Sequence, residues 1–207
     1  MPGGIGSVSY AGLTFLMWFV MMVGMMLPSV APTVLLFQRV ARRAPGDEGL
    51  VRTIAFLCGY LLVWFGFSAA ATFLQLVLIS TGWLDAMGTL TTLWTRSALL
   101  VAVGAYQWLP IKGACLDHCR SPVQFLVAAY RPGRMGALRM GLHHGLYCVG
   151  CCWALMLLLL IGGVMNLLWV AAIAALVFVE KLVAGGDWVR RGLGAAALLG
   201  AVALLLR

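Results

Sequence analysis

The run His143-His144-Gly145-Leu146-Tyr147-Cys148-Val149-Gly150-Cys151-Cys152-Trp153 gathers three of the chain's six cysteines and two of its three histidines. It leads straight into Ala154-Leu155-Met156-Leu157-Leu158-Leu159-Leu160-Ile161, which reads as the body of a membrane helix. Positions three and four apart share a helix face, so His144, Cys148, Cys151 and Cys152 form one stripe. His143 points about 100° away from it. The adjacent Cys151 and Cys152 cannot lie on one line, so one stands off the stripe or both flank a wider site. Upstream, Cys115-Leu116-Asp117-His118-Cys119 holds a second thiol pair four apart with a histidine beside it.

Thiolates are soft ligands suited to Cu(I), Zn(II) or iron–sulfur clusters, and imidazole suits copper and zinc. The two segments therefore read as one metal site closed by a hairpin, at a membrane surface. Its ligand candidates are Cys115, Cys119, Cys148, Cys151 and Cys152, with His144 and His118 beside them. Cu(I) is the leading ion and zinc the alternative. The competing explanation is packing: a free cysteine behaves as a small hydrophobe in a helix, and this is the simpler account of Cys58.

A second soft-donor pattern lies near the start. Met17, Met21 and Met25 share a helix face, as do Met22 and Met26. Stacked thioethers can relay Cu(I), although methionine is also an adaptable core filler. Met156 and Met165 extend the pattern. Glu180 and Lys181 interrupt an apolar stretch, and ionisable groups at membrane depth face the bundle, pair or act. Glu180 is a candidate partner for an arginine, a second-layer acceptor for a ligating histidine, or a proton carrier. Lys181 has the alternative of snorkelling to the interface.

The elements that must position these residues are all helical. The 207 residues are 63% hydrophobic and 10% charged, with a mean hydropathy of +1.03, far from a soluble domain. A spanning helix needs about 20 apolar residues. Six candidate spans follow, at residues 11–37, 53–80, 96–109, 141–164, 167–183 and 189–206, and no stretch is left for a soluble domain. The expectation is an all-α polytopic membrane protein, one helical domain over 1–207. The first span lacks the basic leader and cleavage site of a signal peptide, and Pro28 and Pro32 predict a kink or break in it. The third span is short, ending at Pro110, and the third loop is the longest. In that loop Val123 to Tyr130 reads as a short interfacial helix. Turn-rich tips fall at 44–49 and 184–187, and the small residues of the last span permit close helix approach.

The net charge of +8 is spread over short loops, which reads as topology rather than nucleic-acid binding. Twelve of the 14 basic residues lie in the first, third and fifth loops and the adjoining helix ends. Only Arg96 and Arg207 lie on the other side. The basic side is then cytoplasmic, both termini are outside, and all six thiols converge near the inner leaflet of a bacterial cytoplasmic membrane. Clustered thiols in a reducing compartment point to metal binding or redox chemistry rather than structural disulfides.

Met25-Met26-Leu27-Pro28-Ser29, Cys148-Val149-Gly150-Cys151-Cys152-Trp153, Met165-Asn166 and Glu180-Lys181 together resemble an uncharacterised bacterial family of predicted metal-binding integral membrane proteins. The resemblance covers about residues 10–185, and its most specific element is the Cys-x-Gly-Cys-Cys-Trp run. It implies a small polytopic protein and a metal, with no established reaction and no catalytic residue.

The function expected is membrane metal handling: delivery, storage or passage of Cu(I). The partners would be the bilayer and a copper-dependent enzyme or partner membrane subunits. No catalytic constellation is legible. Two alternatives stand beside this: a quinone-linked thiol redox protein, and an accessory subunit of a larger membrane enzyme complex.

Overall fold

The computed structural model describes residues 8–43, 48–85, 87–183 and 187–206. Nine helices occur among them: α1 Val8–Arg43, α2 Gly49–Ser80, α3 Leu93–Trp108, α4 Pro110–Arg120, α5 Pro122–Ala129, α6 Gly133–Leu157, α7 Leu159–Gly162, α8 Leu167–Leu182 and α9 Asp187–Leu205. No strand is present among the described residues; Leu84 and Leu90 form an isolated bridge. Of the turn tips expected at 44–49 and 184–187, residues 44–47 and 184–186 lie outside the described residues, as does Arg207.

The all-α expectation agrees with the structure, but the expected six spans do not. Four helical segments are long and apolar enough to cross a membrane: α1, α2, Gly133–Gly162 and α9. Helices α3 and α4 make a fifth only if taken as one span broken by a 65° bend. Helix α8 has 16 residues, about 24 Å of helix against about 30 Å of bilayer hydrocarbon.

The break between α3 and α4 has a local cause. Pro110 opens α4 and pushes Leu109 into the extended region, at φ −68° and ψ 138°. The third loop is therefore mostly helix: Pro122 restarts it as α5, in agreement with the short helix expected there, and α6 begins at Gly133, ahead of the expected 141. Helix α1 runs through both prolines without a break.

Close approach of α2 and α6 organises the interior. A Cβ on Gly59 would lie 2.2 Å from the Leu138 carbonyl oxygen, and one on Gly141 would lie 1.9 Å from that of Phe56. Only hydrogen fits at either position, so the two backbones touch. Around this seam Met22, Met26, Tyr60, Trp64, Cys148, Cys151, Cys152 and Met156 form part of one buried core. A smaller core of Phe37, Phe56, Phe125, Leu126 and Met140 lies beside it. Trp18 donates its indole N–H to Gln75 Oε1 at 2.6 Å, fixing α1 against α2. The glycine face of α9 is used within the chain: a Cβ on Gly194 would meet Trp108 of α3 at 2.5 Å.

At one end of the bundle, Leu90 N–H donates to the Leu160 carbonyl, tying the α2–α3 connection to α7. At the other end Arg134 pairs with Glu48 at 2.7 Å.

Candidate metal centre

Helix α4 folds back onto α6 and brings the two thiol segments together at one point: Cys119 Sγ stands 3.9 Å from Cys151 Sγ. Cys148, Cys151 and Cys152 are all buried. The adjacency of Cys151 and Cys152 is resolved by the Cys148 carbonyl, which accepts from both thiols, at 3.0 and 2.9 Å. Cys115 is half-buried, its sulfur packed against Gly150. Cys58 is exposed and takes no part in this cluster: α2 turns it away from its buried neighbours Gly59 and Tyr60.

Cys148 is the hub of the polar contacts. The Tyr60 hydroxyl lies 3.1 Å from its sulfur and also reaches the Met26 carbonyl at 3.5 Å. The Lys181 ammonium donates to Cys148 Sγ at 3.1 Å, to Ser29 Oγ at 3.1 Å and to Met26 Sδ at 3.8 Å. Four helices thus meet here: α1 through Met26 and Ser29, α2 through Tyr60, α6 through the cysteines, α8 through Lys181. The site lies inside the bundle, along the middle of α1 and α6. Helix α4 packs inward against α6, which brings Cys119 to this place.

The histidines sit beside the thiols. The His118 ring stacks on Tyr147 with centroids 3.9 Å apart, and lies 5.4 and 6.2 Å from the rings of His143 and His144. His144 is buried among Phe56, Tyr60 and Phe125. Nε2 of His118 and Nδ1 of His144 are buried without a hydrogen-bond partner, a condition that calls for an explanation.

Glu180 reaches no histidine. Its carboxylate takes the ammonium of Lys112, with Oε1 at 2.8 Å and Oε2 at 2.9 Å, both side chains being buried. Gln107 completes that contact, and Arg120 binds the Glu180 carbonyl. Of the thioethers, Met22, Met25 and Met26 are buried. Met17, Met21, Met25 and Met165 line an apolar groove of about 740 Å³, and Met156 is enclosed in the core.

Among the described residues no three His, Cys, Asp or Glu side chains are arranged to hold a metal ion together. The pair that fits is Cys119 and Cys151. With metal–sulfur bonds of about 2.3 Å, two sulfurs on one ion stand about 3.8 to 4.6 Å apart, from tetrahedral to linear. Their 3.9 Å separation falls in that interval. Sequence reasoning missed Tyr60 and the inward reach of Lys181; the only signal was a lysine interrupting an apolar stretch.

The class the fold defines is a helical bundle with cysteine and methionine sulfur in its buried core. The chain belongs to the PpoB2 family, described as copper chaperones, whose family model matches residues 15–204. No curated protein and no solved structure matches it.

Proposed function

We propose that this chain is a membrane copper chaperone that carries Cu(I) as cargo on cysteine sulfur and hands it to a copper-dependent partner. The observation that carries the reading is the 3.9 Å between Cys119 and Cys151, which α4 and α6 supply from 32 residues apart. Family membership supports copper over zinc. Cys148 and Cys152 complete a donor set soft enough for Cu(I), with Met26 as thioether donor. The unpartnered nitrogens of His118 and His144 are further donors. Cys115 is the reserve thiol on α4.

In this reading the long helices cross the bacterial cytoplasmic membrane, with the basic loops on the cytoplasmic side. The methionine groove supplies a route toward Met26. The test is metal analysis of protein purified after expression with copper, zinc and iron. Near-stoichiometric copper, lost on Cys119→Ser and on Cys151→Ser, is expected. Absence of copper from the wild-type protein, or copper unchanged in both variants, would sink the reading.

The same sulfur pair supports a second reading, thiol redox exchange with membrane quinone. A trapped mixed disulfide at Cys119 or Cys151, with quinone reduction, would favour it.

A further inference from the structure

The side chain of Lys181 does not snorkel outward. It crosses from α8 to reach Met26 and Ser29 on α1 and Cys148 on α6, and its ammonium lies within 3.1 Å of Ser29 Oγ and Cys148 Sγ. The neighbouring carboxylate is not available to it, since Glu180 is committed to Lys112. The hydrogen bonds that Lys181 makes go to Ser29, Cys148 and Met26, and none to a carboxylate. A singly charged cation thus rests against the thiol and thioether donors that would hold Cu(I).

A second observation concerns access. A cleft of about 420 Å³ is lined by Ser29, Cys119, Arg120, Phe178 and Lys181. It opens beside Cys119, the residue of the Cys119–Cys151 pair that is not fully buried. Lys181 therefore stands between an open space and the buried Cys148.

Resting on the copper reading, we propose that Lys181 is a built-in competitor for the cargo: its ammonium holds the place of Cu(I) against Cys148 and Met26, and loading is the exchange of one monovalent cation for another. With Cys148 as the thiolate, loading breaks the hydrogen bond from Nζ to Sγ, Cu(I) leaves its donor in solution and bonds Sγ with no proton released from that sulfur, and the ammonium swings into the cleft. On delivery the ammonium returns and completes the release. The device keeps affinity low enough for a protein that must give its metal away.

The test uses the full chain in detergent, titrated with Cu(I) against a chromophoric Cu(I) chelator. Charge-assisted hydrogen bonds are worth about tenfold or more in an equilibrium constant, so Lys181→Leu, which adds no donor, is expected to retain Cu(I) about tenfold tighter, while Lys181→Arg, which keeps the charge, does not tighten. A second measurement is made on the wild-type protein, whose only lysines are Lys112 and Lys181. Acylation by acetic anhydride, read by mass spectrometry, should speed up at Lys181 when Cu(I) is added and leave the buried Lys112 untouched. Retention by Lys181→Leu equal to or weaker than wild type overturns the proposal, and so does labelling of Lys181 that Cu(I) does not accelerate. If Lys181→Leu does not fold, the labelling decides alone. Failure of the copper reading shows separately, as a wild-type protein that takes no Cu(I) from the chelator.

Discussion

Lys112 and Glu180 form a fully buried ion pair, the ammonium 2.8 Å from one carboxylate oxygen. The pair joins α4 to α8, and each partner sits next to a residue of the metal centre. Glu180 precedes Lys181, and Lys112 lies on the short helix that carries Cys119. Holding Glu180 on one side of α8 directs Lys181 to the other, toward Cys148.

Breaking this pair by removing one member leaves an uncompensated buried charge, at a cost of about 3–5 kcal/mol. Lys112→Met or Glu180→Gln is expected to lower the thermal midpoint in detergent sharply and to loosen α4. The double variant Lys112→Met with Glu180→Leu, which removes both charges, should recover most of the loss. A double variant as unstable as the worse single one would count against the pair as the source of the effect.

Cysteine substitutions should sort by position. Cys119→Ser and Cys151→Ser are expected to abolish most bound copper, and Cys148→Ser to reduce it. Cys58→Ser should leave copper content unchanged, since Cys58 is exposed. Copper content after purification checks all four, and a loss with Cys58→Ser would contradict the geometry.

The seam between α2 and α6 is sensitive to a single methyl group. At Gly141 a Cβ would lie 1.9 Å from the Phe56 carbonyl oxygen, so Gly141→Ala must push the helices apart. Overpacking of this kind costs about 1–3 kcal/mol or more and would separate Tyr60 from Cys148. Gly66→Ala is the control: nothing lies within 4 Å of its Cβ, and helix propensity makes it neutral or stabilising by up to about 1 kcal/mol. Thermal midpoints and copper retention of the two variants check the contrast.

Acid sensitivity has an identifiable surface source at Glu48. The hydrogen bond from Arg134 and its charge hold the Glu48 carboxyl below its usual 4.5. A carboxyl depressed on folding contributes stability that is present above the unfolded value and is lost as pH falls through the folded one. The pair is exposed, so the effect is small and screened by salt. Glu48→Gln should flatten the stability profile slightly below about pH 4.5 and change nothing near neutrality, as unfolding midpoints across pH would record.

The sequence by itself determined the helical character, the soft-donor chemistry and the facing of His144, Cys148, Cys151 and Cys152 on one helix, because apolar runs and the helical repeat are local properties. It also marked Pro110 as an end, which the structure realises as the 65° break. It misjudged the third loop, because the apolar and charged residues of Pro110–Arg120 are satisfied only by packing on α6 and α8. It could not tell that Cys119 meets Cys151 while Cys58 faces outward, or that Glu180 would spend its charge on Lys112 and leave Lys181 to the sulfurs. Those outcomes depend on which helices touch. That was settled by glycines 59 and 141, where two backbones approach too closely for any side chain, and by the low tolerance of a packed interior for an unpaired charge.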